Sequence, residues 1–169
     1  MKLEIRSANR EEAIWLSSRL RPLDRREVEI ATGQSAEEVL LKAFDISTEC
    51  YSLRFNNAAS DLVALFGITP AASLVARIGV PWMLCTSEVS RGAIAIAREA
   101  PRWLNKWARE YGLLRNIVYL CNSLHGRWLH TAGCQFDELV QINGHPFLLF
   151  SYQESKQCVI QSQSSLAPH

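Results

Sequence analysis

The run Leu62-Val-Ala-Leu-Phe-Gly-Ile68 carries no charged or strongly polar side chain. Extended, such a run buries both faces of a strand, which places it in the middle of a sheet. The segments on either side also read as strands. Tyr51, Leu53 and Phe55 alternate with Ser52 and Arg54, and Asn56-Asn57 supplies a turn into the apolar run. Val80 to Cys85 forms the next strand, with Pro81 at its start, where a missing donor is tolerated. Between them, Ala71 to Ile78 reads as a helical turn or a short helix. Strands that follow each other without helical crossovers, and the lack of a GxGxxG after the first strand, argue against a dinucleotide-binding Rossmann domain.

The flanking segments are helical or return to the sheet. Leu3 and Ile5 suggest a short first strand. Asn9 with Glu12, Asp24 with Glu27, and Ser35 with Glu38 each have capping-box spacing, predicting three helices before Tyr51. The first carries Ala13, Leu16, Ser17 and Leu20 on one face and ends at Pro22. The second runs to about Thr32, with Gly33 as its C-terminal break. The third turns Val39, Ala43, Phe44 and Ser47 to one side, with Leu40 adjacent.

After Cys85, the hydroxyls of Thr86, Ser87 and Ser90 can cap a helix reaching Tyr111. Its apolar face is Ile94, Ala97, Leu104, Trp107, Ala108 and Tyr111. Pro101 either kinks this helix or opens a fresh one, and Gly112 stops it. Ile117 to Cys121 is a strand, Asn122 caps a helix from Ser123 to Thr131, and Gly133 closes it. Phe136 begins a last strand region, paired with Phe147 to Phe150 through the Asn143-Gly144 turn. The pattern predicts an α+β fold of the three-layer α/β type: a mixed, mostly antiparallel sheet flanked by helices. One domain is expected over residues 1–152, with a polar tail over 153–169 that is flexible or ordered by a partner.

Composition narrows the function classes. The chain is 48% hydrophobic and 21% charged, which suits a substantial core. Eighteen basic residues oppose seventeen acidic ones, and a net charge of +1 argues against nucleic acid as a direct ligand. Residues Met1 to Arg6 lack the apolar core of a signal peptide, and no run approaches the roughly 18 apolar residues of a membrane helix. A cytoplasmic protein without a membrane segment is therefore expected. The five cysteines form no CxxC pair and read as free, mostly buried thiols. No zinc-ligand spacing, P-loop, HExxH or GxSxG is present, so no metal is expected.

The segment from Val118 through Asn122 and Gly133 to Phe136 resembles the C-terminal strand, helix and strand of the GNAT acetyltransferases. There an Asn opens a helix that ends before a Gly-Phe pair; here Cys134 replaces the aromatic, and Phe136 lies two residues later. The element order over residues 1–152 resembles the same layout. A second likeness is carried by Leu20-Arg21-Pro-Leu-Asp24-Arg25-Arg-Glu27, Phe66-Gly67, Trp82-Met-Leu-Cys-Thr86, Arg102-Trp103 and Arg127-Trp128-Leu129. Spread over residues 3–150, these resemble the internal core protein family of T7-like short-tailed phages, a GNAT-like virion family. That resemblance implies a phage virion or assembly protein without acetyltransferase activity. It would be made in the host cytoplasm and packaged into the virion beside other virion or portal-proximal proteins, with self-association as an alternative.

The first resemblance implies the competing reading, an acetyl-CoA-dependent N-acetyltransferase acting on a host or phage amine. The cofactor would then lie against Thr86, Ser87, Ser90, Arg91, Gly92 and Ala93, with Asn122 nearby, although this loop lacks the family's Gly-rich pattern and contains Glu88. Leu129 stands where many members carry a Tyr acting as general acid, so the remaining candidates are His125 or His130 as acid and Glu27, Asp24 or Glu88 as base. The pairs Arg102-Trp103 and Arg127-Trp128 read either as packing that fastens a helix to the sheet or as interface anchors.

Overall fold

The computed structural model describes residues 2–55, 62–71 and 77–154. The expected Asn56-Asn57 turn, most of the stretch between Ala71 and Ile78, and the tail from residue 155 onward lie outside the described residues.

Among the described residues seven strands form one sheet: β1 (Leu3–Ser7), β2 (Glu49–Phe55), β3 (Leu62–Pro70), β4 (Ile78–Cys85), β5 (Leu113–Tyr119), β6 (Gln135–Ile142) and β7 (His145–Tyr152). Their spatial order is β1-β2-β3-β4-β5-β7-β6. The apolar run is in the centre as expected: every residue of β3 from Leu62 to Thr69 is buried. Asn143 and Gly144 both take positive φ, closing the β6–β7 hairpin as a two-residue turn.

Helices α1 (Arg10–Ser17), α2 (Pro22–Thr32) and α3 (Ala36–Ile46) connect β1 to β2. Their core is Ala13, Leu16, Leu20, Ala36 and Leu40 against Leu62, Leu65 and Leu84 of the sheet. On the opposite side are α4 (Ala93–Tyr111) and α5 (Ser123–Thr131). There Ile96, Leu104, Trp107, Ala108 and Trp128 pack with Leu53, Phe66, Leu114 and Phe150. No helix among the described residues is long and apolar enough to cross a membrane.

Several boundaries differ from the sequence reading. The Asn9/Glu12 and Ser35/Glu38 capping boxes form. Asp24 and Glu27 make none. Pro22 opens α2 rather than closing α1, because a first-turn residue needs no N–H donor, and Asp24 therefore falls inside the helix. On α3 the fully buried residues are Ala36 and Leu40, while Val39 and Ala43 are half-buried. Helix α4 runs unbroken through Pro101 after a 3-10 turn at Ser87–Gly92. Its inward stripe is set by Ile96, Leu104 and Trp107, which leaves Ile94 pointing outward and 72% exposed. Strand β5 starts at Leu113, ahead of the expected Ile117.

The sheet contains one parallel pair, and that pair is short. Strands β4 and β5 are matched only at Ile78–Leu113 and Gly79–Leu114. Beyond Gly79 they part. Pro81 sits within β4 and not at its start, just where the partner strand is lost. Alternation along the strand turns its backbone toward the gap, where its carbonyl accepts from Asn116 Nδ2 at 2.8 Å. A missing N–H there breaks no ladder bond.

Candidate functional site

Because α2 starts at Pro22, Asp24 and Glu27 are three residues apart on one helical face and project together toward the parted strands. Each carboxylate takes a backbone N–H from a different strand. Asp24 Oδ2 accepts from Cys85 of β4 at 3.0 Å. Glu27 Oε1 accepts from Tyr119 of β5 at 3.0 Å. The N–H of Arg21 donates to the Cys85 carbonyl at 2.7 Å. The start of α2 is thereby a clasp across the ends of β4 and β5. Its hydrogen bonds satisfy backbone groups that a continuous ladder would have paired.

Polar side chains complete the cluster. Arg21 forms an ion pair with Asp24, whose side chain is 0% exposed, and donates to Asn122 Oδ1 at 2.9 Å. Asn122 caps α5, as its position before Ser123 predicts. Its amide also donates to Glu27 and to Asp24, so one residue ties α5 to α2. The ring of His125 is 12% exposed, lies 3.1 Å from the Asn122 amide nitrogen, and stacks 5.2 Å from Trp128.

Burial pulls the carboxylic acid and the imidazole in opposite directions. Loss of hydration raises the Glu27 pKa to about 7, against the lowering hydrogen bonds from Asn122 and Tyr119. The same loss lowers that of His125 to about 4, despite the nearby Asp24. At neutral pH the imidazole is therefore uncharged, and Glu27 sits near its midpoint.

Asp24, Cys85 and His125 place three donor atoms within 4.8 Å of one another. Sequence spacing gave no sign of this grouping. It is a poor metal site: burial holds the Cys85 thiol well above its ordinary pKa, and the guanidinium of Arg21 already supplies the cation. Cys121, the cysteine four residues before His125, is exposed, and it is Cys85 Sγ that lies 3.8 Å from the ring.

A cavity of about 400 Å³ passes between the parted strands. Glu27 and His125 line it, together with Pro81, Met83, Asn116 and Leu129. Trp103 and Trp128 also face it, while Arg102 and Arg127 point to solvent. Trp103 packs on Tyr51 and Phe66 at 4.4 and 5.2 Å between ring centroids. Both tryptophans thus serve the interior, and their arginine neighbours form the outer surface.

The polar side chains of the loop are already engaged within the protein. Thr86 Oγ1 bonds the Val63 carbonyl, Ser90 Oγ bonds the Ser87 carbonyl, and Arg91 pairs with Glu88. Gly92 has its own packing reason. A Cβ there would overlap the Phe55 ring, and Ala93 follows it directly as the first residue of α4. Gly92→Ala is expected to cost about 1–3 kcal/mol, the range for overpacking a core, read as a lower urea midpoint. An unchanged midpoint would show that Phe55 moves freely. The 3-10 turn Ser87–Gly92 runs directly into α4, whose first turn has no side-chain cap and no acidic residue.

In sequence comparisons, no family model matches the chain. No curated protein matches it either. In structure it is similar to spermidine N-acetyltransferase from Vibrio cholerae in complex with CoA and spermine. Identity is 15%, coverage is 91% of this chain and 96% of that one, and the TM-score is 0.63. A putative phosphinothricin N-acetyltransferase matches with a TM-score of 0.65 at 11% identity, covering 92% of this chain and 100% of that one. A GNAT-family acetyltransferase from Streptococcus pneumoniae matches with a TM-score of 0.59 at 16% identity, over 89% and 98%. The fold is that of the GNAT acetyltransferases. At these identities the likeness concerns architecture: a mixed, mostly antiparallel sheet flanked by helices.

Proposed function

We propose that the chain is an acyl-CoA-dependent N-acyltransferase acting on an amine. The observation that carries this reading is the cavity between β4 and β5, with a carboxyl of pKa about 7 on its wall. CoA is bound in one similar structure, the spermidine N-acetyltransferase complex. The residues present fit an acyl-pantetheine arm in three respects. The gap is open and largely apolar. The backbone of Met83 faces it without a strand partner on that side. The junction of the 3-10 turn with α4, with no acidic residue in the first turn of α4, suits a pyrophosphate. The hydroxyls of Thr86 and Ser90, being already bonded, add little.

Acyl-CoA supplies an activated acyl carbon joined to sulfur; the protein orients the amine and manages its proton. Glu27 accepts a proton from the ammonium group, and its pKa near 7 is matched to that task. The nitrogen lone pair then forms the bond to the acyl carbon. As the carbon–sulfur bond breaks, sulfur would leave with the electron pair, and the second proton shed by the amine nitrogen would pass to it through water. The gap-facing N–H of Met83 is placed to bind the carbonyl oxygen as charge builds on it. Leu129 has no proton to give, and neutral His125 serves to position Asn122 and Trp128.

Calorimetric titration of the full chain with acetyl-CoA tests the reading. A dissociation constant on the order of 1–100 μM is expected. A folded protein that releases no heat and shows no shift in melting temperature with the ligand would refute it.

One observation favours a second reading, the non-catalytic virion or assembly protein of a phage. The clasp of Asp24 and Glu27 on Cys85 and Tyr119 closes the end of the gap. The segments resembling phage internal core proteins include this clasp, since Leu20 to Glu27 is among them. This reading expects no acetyl-CoA binding and copurification with virions.

A further inference from the structure

Each side of the cavity carries a single carboxyl, and this sparse charge bears on the acceptor. The α2–α3 wall is formed by Val28, Ala31, Val39 and Ala43 with one carboxyl, Glu27. The only other acidic group along the cavity, among the described residues, is Glu99 of α4 on the opposite side of the sheet, already facing Arg102 at 3.8 Å. No lysine or arginine lines the cavity among the described residues. His125 is neutral because burial lowers its pKa.

We infer that the acceptor is a monoamine with an apolar body: one cationic centre for Glu27, and an aliphatic or aromatic portion against Val28, Ala31 and Val39. The inference rests on reading the cavity as an acyltransferase cleft. A polycation would place its second ammonium against aliphatic side chains without a partner, which a low-dielectric wall disfavours strongly. An amino acid would bring a carboxylate beside Glu27 with no cation to receive it. The guanidinium of Arg21, beside Asn122 and His125, is committed to Asp24 and Asn122. An apolar monoamine leaves no buried charge unpaired.

Two measurements on the full chain test this. Calorimetry follows 2-phenylethylamine, spermidine and kanamycin binding to the protein alone, and release of free CoA thiol follows their acetylation. The expected order is 2-phenylethylamine first, by at least tenfold in affinity and in kcat/KM, a ratio within reach of a pocket that leaves a rejected group unpaired. Glu27→Gln is expected to weaken 2-phenylethylamine binding about tenfold or more while acetyl-CoA affinity stays within about twofold. Val39→Glu, adding a second carboxyl to the wall, is expected to move the preference toward spermidine. This gives a readout even if Glu27→Gln folds poorly.

Preference for spermidine or kanamycin, or amine binding indifferent to Glu27, would overturn the inference and leave the acyltransferase reading intact. Glu27-dependent binding of 2-phenylethylamine without any acetyl-CoA binding would support the inference and remove the acyltransferase reading. Failure of every amine and of acetyl-CoA to bind would remove both.

Discussion

Asp24→Ala is expected to destabilise the protein by about 3–5 kcal/mol, the range for removing one partner of a buried ion pair. Asp24 is fully buried, and the side chain of Arg21 is only 14% exposed. The alanine would strand the guanidinium with Asn122 as its remaining close acceptor and leave the Cys85 N–H without a carboxylate. Urea unfolding should show a large fall in midpoint with little change in slope. Arg21→Ala combined with Asp24→Ala should cost clearly less than the two single changes added together, because the pair is removed as a unit. Near-additivity would mean that the clasp is not a coupled device. A cost under about 1 kcal/mol for Asp24→Ala would show that α2 is held to the strands by its apolar residues alone.

The second large effect is a pair of opposing pH dependences. Glu27 has its pKa raised from 4.5 to about 7 in the fold. Its contribution to stability is complete below pH 4.5 and is lost as pH rises through 7, because the folded state there holds more protons than the unfolded one. His125 has its pKa lowered from 6.5 to about 4. Its contribution is complete above pH 6.5 and is lost as pH falls toward 4. Each shift corresponds to a contribution on the order of 3–4 kcal/mol.

Between pH 4.5 and 6.5 the two nearly cancel, and the wild-type stability curve should be shallow in that window. Glu27→Gln should unmask the His125 term, so that stability climbs with pH. His125→Asn should unmask the Glu27 term, so that stability falls with pH. The groups facing this pair are Arg21 and Asp24 of α2, Cys85 of β4, and Asn122 with the Tyr119 N–H at the entry to α5. Thermal or urea unfolding at half-unit pH steps checks the signs. Equal slopes in wild type and Glu27→Gln would mean that Glu27 titrates at its ordinary pKa.

How much of the site was legible in the sequence can be judged residue by residue. Asn122 was readable, because a capping Asn at a strand-to-helix break is a local signal. Glu27 and Asp24 were visible but misassigned. Their spacing fits a capping box, and only the start of α2 at Pro22 turned both inward. The buried ring of His125 had no local signature, since its burial depends on Trp128 and on α2, which lies about a hundred residues earlier in the chain. Cys85 carried no signal at all: it became part of the cluster through a backbone N–H, which every residue possesses.

The fold was more legible than the site for a related reason. The apolar run of β3, the alternation of β2, the Asn-Gly hairpin and two capping boxes all act within a few residues, so the sequence alone determined the elements and the mixed-sheet class. Tertiary structure decided what those elements do to one another. It ended the β4–β5 ladder after two residue pairs, clasped the open ends with α2, and buried Glu27 far enough to hold its pKa near 7. These outcomes depend on desolvation and on contacts between distant segments, which exist only once helices and strands have closed on each other.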